Sequence, residues 1–247
     1  MTATTEDAGR LRRFHEKFMV EERRMPASAK RRLYLWSIIL VAVGLVAFIV
    51  ILTSVLGKDD LSVIDQPIES FMRTLRTPTL TTVMITVAIV FGPIALPIII
   101  LVTVLLWGFL AKHAWRPVLL AAGTLTGVII VQILAPIIGR HRPPIQYMLF
   151  GVDHTSSFPS GHVMGACDFL LITTYLVFSR RQHIASTVTG FLVAIVLIAL
   201  AVVCRVYLGY HWPTDALASV SLSLIVLGGV IALDTRRTAV VDPSLGS

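Results

Sequence analysis

"LYLWSIILVAVGLVAFIVILTSVL", residues 33–56, contains no charged residue. As a helix it rises about 1.5 Å per residue, which gives about 36 Å, enough to cross about 30 Å of hydrocarbon. It is longer than the apolar region of a secretory signal and has no small-residue cleavage site, so it reads as an uncleaved first span. The whole chain of 247 residues agrees with that reading. It is 55% hydrophobic and 14% charged, whereas soluble domains are about a quarter charged.

Further apolar runs cover about 92–111, 117–138, 162–178, 185–204 and 212–233. Between the first and second runs, Ile64, Ile68, Phe71, Met72 and Leu75 form a helical stripe opposite Arg73 and Arg76. That pattern predicts an amphipathic helix lying on the membrane surface. "FGPIALP", 91–97, then breaks a long apolar stretch, so 79–91 is expected to be a short helix in or dipping into the interface. The fold class that follows is an all-α integral membrane protein: six transmembrane helices, with an amphipathic interfacial segment between the first and second. Residues 1–32 form a basic tail, 33–233 the membrane domain and 234–247 a second tail.

The net charge of +7 does not point to nucleic acid, because nine of the 21 Lys and Arg lie before residue 33, as in a membrane flank. With six spans, both termini and the linkers holding Lys112, Arg116, Arg180 and Arg181 share one side. That side carries fifteen basic residues; the other carries six, Lys58, Arg73, Arg76, Arg140, Arg142 and Arg205. Basic residues mark the cytoplasm, so the termini are expected inside. Cys167 and Cys204 lie in apolar runs without ligand spacing and read as small hydrophobes.

Three segments share the less basic side: "GRHRPP" at 139–144, "PSGH" at 159–162 and "RVYLGYHWPTD" at 205–215. A lone arginine at a span end commonly snorkels to the interface, but here Arg140, Arg142 and Arg205 accompany His162, His211 and Asp215. Guanidinium forks suit phosphate oxygens. Ser160 fits a helix N-cap, and Gly161 allows close backbone approach at a helix start, where free amides favour an anion. His211 and Asp215 are four apart with Pro213 at a first helical position, so the carboxylate can orient the imidazole. There is no His-x-x-x-His pair or cysteine ligand, and the arginines repel cations, so the pattern calls for neither metal nor cofactor.

"RP" at 142–143, "PSGH" at 159–162 and Arg205 followed by His211 and Asp215 resemble the three-part signature of the type 2 phosphatidic acid phosphatases, over residues 33–233. The resemblance implies a metal-independent membrane lipid phosphate phosphatase, catalytic through His211, His162 and Asp215. His211 would be the nucleophile, Asp215 its orienting partner and His162 the proton donor to the leaving oxygen. Arg142, Arg205, Ser160 and Gly161 would hold phosphate oxygens, with Arg140 beside them. Implied substrates are amphiphiles such as an isoprenoid carrier diphosphate (undecaprenyl diphosphate), phosphatidate or phosphatidylglycerol phosphate, met in the bilayer at the extracytoplasmic face. The chain departs from the signature at Ala135, where the family has a lysine, and at Cys204, where a serine is common. A non-catalytic lipid-phosphate binder or transporter of the same fold is the alternative, and soluble vanadate-dependent haloperoxidases share the signature.

The charge asymmetry sets a test of topology. Cysteines introduced at 139–144 or 211–215 should react with an impermeant maleimide on intact cells, and one introduced at 179–183 should not. The reverse pattern would invert the orientation.

Overall fold

Apolar runs of this length become helices because hydrocarbon offers backbone N–H and C=O groups no other partners. The computed structural model describes residues 17, 21–180 and 184–245. Among them are eight α-helices: α1 (Ala27–Gly57), α2 (Asp65–Thr74), α3 (Pro78–Val90), α4 (Ala95–Leu110), α5 (Trp115–Ile138), α6 (Gly161–Phe178), α7 (Ile184–Tyr207) and α8 (Pro213–Thr238). Two short strands, β1 (Arg23–Met25) and β2 (Ala239–Val241), flank the first and last helices. Most of the basic tail, 1–16 and 18–20, and Arg181 in the 179–183 linker lie outside the described residues.

Helices α1, α5, α6, α7 and α8 are each long and apolar enough to cross a membrane. The sixth stretch differs from its sequence reading. Helix α4 has 16 residues, about 24 Å, which falls short of a full crossing. It meets α3 at a 48° bend, and only the pair together has the length and hydropathy of a span. Gly92 and Pro93 lie in the break.

Helix α2 also differs from a plain surface helix. Phe71 and Leu75 are exposed, as an apolar stripe facing lipid requires, whereas Asp65 and Glu69 are buried. Its acidic edge points into the protein.

The bundle is organised around α6 and α8. Helix α6 buries Val163, Ala166, Cys167, Ile172 and Leu176, and α8 buries Ser219, Ser221, Ser223 and Thr235 among its apolar residues. Small and hydroxylated side chains let helices approach closely where lipid provides no hydrophobic drive between them. Helix α1 uses this along α8: Ser37 Oγ donates to the Gly228 carbonyl at 2.8 Å. A Cβ at Gly228 would stand 2.6 Å from Val41 Cγ2 and 2.8 Å from the Ser37 carbonyl, and one at Gly44 would stand 2.5 Å from the Ser221 carbonyl.

The two ends of the bundle have different tasks. At one, β1 pairs in parallel with β2, with Arg23 opposite Ala239 and Met25 opposite Val241, so the segments before α1 and after α8 lie side by side. Asp234 accepts from Trp115 Nε1 (3.0 Å), Tyr175 Oη (2.9 Å) and Arg180 (3.1 Å) nearby. At the other end lie the C-termini of α5 and α7 and the N-termini of α6 and α8, which carry the three motif segments.

The α1–α8 contact predicts that Gly228→Leu destabilises the protein by about 1–3 kcal/mol through overpacking. Gly229→Leu makes the same change one position on, where an added Cβ meets nothing within 4 Å, and should be near neutral. Thermal unfolding of both variants in one detergent separates the two outcomes.

Candidate active site

Helix α7 ends at Tyr207 and the chain reverses through Gly209, whose φ of +78° is left-handed. Pro213, without an N–H, then opens α8 at its first turn. This tight passage sets Arg205, His211 and Asp215 on one short stretch of backbone. Arg76 holds the end of α7 in place, donating from Nε and Nη2 to the Tyr207 carbonyl at 3.1 and 2.8 Å and from Nη2 to the Tyr147 carbonyl at 3.0 Å.

His211 is 2% exposed. Its Nδ1 lies 2.7 Å from the Ser157 carbonyl, and its Nε2 lies 3.1 Å from Arg142 Nη1. A carbonyl only accepts and a guanidinium only donates, so the two contacts fix the tautomer: Nδ1 carries the proton and Nε2 presents its lone pair. Asp215 Oδ2 is farther from Nδ1, at 3.5 Å, and accepts instead from the Trp212 backbone N–H at 2.9 Å. The Ser157 carbonyl is thus the nearer orienting group, with Asp215 supporting it from behind.

Arg142 is held by several acceptors at once. Nη1 donates to the Tyr210 carbonyl at 2.7 Å, Nε to the Thr155 carbonyl at 2.9 Å, and Nη2 to Thr155 Oγ1 at 2.8 Å. Nη2 also pairs with Asp153 at 2.9 Å. Arg205 is 4% exposed, its guanidinium 4.4 Å from the Tyr210 ring centre, and its Nε is buried without an acceptor among the described residues. His162, in the first turn of α6, lies within electrostatic reach of Arg205, His211 and Arg142. Ser160 precedes that helix as expected, but its hydroxyl makes no capping bond. The Oγ is fully buried and has no partner among the described residues. The arrangement gathers an imidazole lone pair, a second imidazole, two guanidinium groups and a buried hydroxyl at one helix N-terminus, and the guanidinium, hydroxyl and amide donors among them suit an anion.

The family resemblance implies a place for Arg140 beside a phosphate cradle. In the structure its guanidinium is occupied by acids: Nη1 bonds to Asp215 Oδ1 and to Thr214 Oγ1 (2.7 Å), and Nη2 to Asp65 Oδ2 (2.6 Å). Asp65 further accepts from the Thr214 N–H at 3.0 Å and the Thr214 hydroxyl at 2.7 Å.

A family model described as the PAP2 superfamily matches residues 116–239, about half of the chain and the part that holds every motif residue. The chain belongs to the PAP2 superfamily. Phosphatidylglycerophosphatase B of Bacillus subtilis (strain 168) is 27% identical over 201 residues, covering 78% of this chain and 95% of that protein. Among solved structures, the transmembrane PAP2-type phosphatidylglycerolphosphate phosphatase from Bacillus subtilis matches with a TM-score of 0.70 and 24% identity, covering 78% of this chain and 96% of that one. Aquifex aeolicus LpxE matches with a TM-score of 0.49 and 19% identity, over 69% of this chain and 95% of its own.

Several groups that shape the PAP2 site carry no mark in its motifs. The Ser157 carbonyl is backbone, which any residue can supply. Asp153 and Thr155 form a local turn, Thr155 N–H and Oγ1 donating to Asp153 at 3.0 and 2.8 Å. Burial opposes the Asp153 carboxylate, but these bonds and Arg142 bring it below the usual carboxylate range. Asp65 had one available signal: with Glu69 it forms an acidic edge on a helix otherwise suited to lipid. His141 contributes its carbonyl, which accepts from Trp212 Nε1 at 3.0 Å and Ser157 Oγ at 3.2 Å.

Removing Arg140 should strand two buried carboxylates. Arg140→Ala is expected to cost about 3–5 kcal/mol, the range for breaking a buried pair. Asp65→Asn in the same chain should recover part of that loss, because one stranded charge is gone. Thermal unfolding of the two single variants and the double variant measures the coupling, and strictly additive losses would dissolve the network.

Proposed function

We propose that this PAP2 protein is a membrane lipid phosphate phosphatase working through a phosphohistidine on His211. The observation that carries the reading is the His211 tautomer. The Ser157 carbonyl accepts a hydrogen bond from the Nδ1–H, which leaves the Nε2 lone pair among the donors of Arg142 and near Arg205. In the first step Nε2 attacks phosphorus in line, the N–P bond forms, and the bond to the leaving oxygen breaks. His162 gives that oxygen its proton. Arg142, Arg205, Ser160 Oγ and the Gly161 N–H hold the equatorial oxygens, where charge spreads in the transition state. In the second step water attacks phosphorus, His162 takes its proton, and the N–P bond breaks to free phosphate and His211. Because Arg142 Nη1 sits on Nε2 in the free protein, entry of the phosphate exchanges that bond for one to a phosphate oxygen.

The substrate is an amphiphile with a terminal phosphate. A cavity of about 290 Å³ beside His162 supports this: Leu96, Ile100 and Val131 give it apolar walls, with Gln132 at a polar point. It suits a tail segment next to the reacting head. Phosphatidylglycerol phosphate ranks first, since the relative matched over most of both chains is a phosphatidylglycerophosphatase; phosphatidate and undecaprenyl diphosphate follow. Gln132 covers the position left by the missing lysine at Ala135, Arg140 being taken up by Asp65 and Asp215. The site faces the extracytoplasmic side, a reading supported by the basic asymmetry and by the paired chain ends at the opposite end of the bundle.

Burial, together with the Arg205 and Arg142 charges, pushes the His211 imidazole well below its ordinary value of 6.5. A lowered value means that the neutral, nucleophilic form persists as pH falls, so the acid limb of kcat/KM should lie below pH 6.5. In Arg142→Gln one cation is gone, and the limb should move up toward 6.5. Phosphate release from a panel of prenyl diphosphates and glycerophospholipid phosphates, with acid-quenched protein assayed for acid-labile phosphate, tests the scheme. Chelators should leave turnover intact and His211→Ala should abolish it. Full activity in His211→Ala would refute the phosphohistidine; lipid binding without turnover in the unaltered protein would favour the binder.

A further inference from the structure

At the end of the bundle away from the catalytic groups lies a cavity of about 830 Å³, within the roughly 300–1,000 Å³ typical of small-molecule sites. Its polar wall holds Arg23, Arg24 and Arg32, and its apolar wall includes Trp36, Phe191 and Leu227. Arg180 also lines it but is already neutralised, lying 3.1 Å from Asp234 and 3.6 Å from Glu21.

Arg23 is different. Its Nη1 donates to the Ser179 carbonyl at 3.1 Å, while Nε and Nη2 are buried with no acceptor among the described residues. Two buried guanidinium donors without acceptors are costly unless a ligand supplies the oxygens. Nε and one Nη form the edge of the fork that grips two oxygens of a phosphate or carboxylate. The backbone of Arg23 is not free to turn away, because β1 is tied to β2 and Lys30 Nζ donates to the Ala239 carbonyl at 3.0 Å. Arg24 has Asp242 in its neighbourhood; Arg32 is exposed at the start of α1.

The apolar wall distinguishes the sources of such an anion. Trp36 is 59% exposed and continues into Leu35 and Ile39 on the outer surface of α1, where the flank of a span meets head groups and tryptophan is favoured. A free phosphate would leave this wall unused, whereas a phospholipid would fill both parts. We infer that the cavity is a second, non-catalytic site for an anionic phospholipid. Its head-group phosphate lies on Arg23 Nε and Nη2 with Arg24 and Arg32 around it, and an acyl chain runs along Trp36 and Phe191. Neither the His211 chemistry nor the phosphatase reading is needed for it. Among the described residues the lining includes no histidine, and the site is proposed for binding alone.

The test is thermal unfolding of the full chain in a neutral detergent, titrated with short-chain phosphatidylglycerol, the matching phosphatidylcholine, or inorganic phosphate. Phosphatidylglycerol about a hundredfold above its Kd should raise Tm by roughly 5–10 °C; phosphatidylcholine should not, and inorganic phosphate, which the catalytic groups also take, should raise it less and by the same amount in Arg23→Lys. The rise should be lost in Arg23→Lys, which keeps a charge but removes the fork. It should weaken at least several-fold in lipid concentration in Arg32→Gln, an exposed change that leaves the clasp of strands untouched. Arg142→Gln, at the catalytic end, should retain it. An undiminished rise in both Arg23→Lys and Arg32→Gln, a rise lost in Arg142→Gln, or an equal rise with inorganic phosphate would overturn the proposal.

Discussion

One guanidinium, that of Arg140, lies between the carboxylates of Asp65 and Asp215, and the end of the bundle that carries the motif residues depends on it. Both carboxylates are buried, where an unpaired charge would be costly enough to disfavour the fold. Asp65 belongs to α2, Arg140 follows α5, and Asp215 is in the first turn of α8, so this single cation joins three separate stretches of chain. Thr214 closes the arrangement by donating twice to Asp65. The consequence reaches His211: Asp215 caps its own helix through Trp212 and lies behind the imidazole, so fixing Asp215 fixes the turn that presents His211. The ions shape the site without touching His211 Nε2.

The membrane gives the rest of the molecule an inverted logic. Large apolar side chains on α1, α4, α5 and α7 point outward, and the interior holds serines, threonines and buried acids beside its apolar core. Helix α2 shows the rule on a small scale. Its apolar stripe was legible, but the edge that matters to the fold is the acidic one, Asp65 and Glu69, because in lipid the polar face is the one that turns inward.

That inversion explains what the sequence made readable. Long apolar runs mark spans by length and hydropathy, and five helices follow from them directly. The run from Thr79 to Ala111 was harder, since hydropathy does not register a bend. The Gly92–Pro93 break appears in the letters, but its 48° angle depends on packing. At the site, His162, His211, Asp215, Arg142 and Arg205 were legible because charged and titratable groups are conspicuous beside apolar runs. The Ser157 carbonyl was not, since backbone acceptors leave no letter behind, and Asp65 was hidden because its partners lie 75 and 149 residues away. Arg140 was noticed as a cation, but sequence spacing does not distinguish a guanidinium facing a ligand from one facing two acids.

The pairing of β1 with β2 bears on the order in which the molecule is made. Helix α1 leaves the ribosome first, yet its main companion in the bundle is α8, and the strand that clasps β1 follows α8 in the chain. During synthesis α1 must therefore sit in the membrane with Ser37, Gly44 and its neighbouring groove open to lipid until the last helix arrives. The seam becomes a tight joint when Gly228 and Ser221 are laid against it. The strand pair then sets the segment before α1 beside the one after α8.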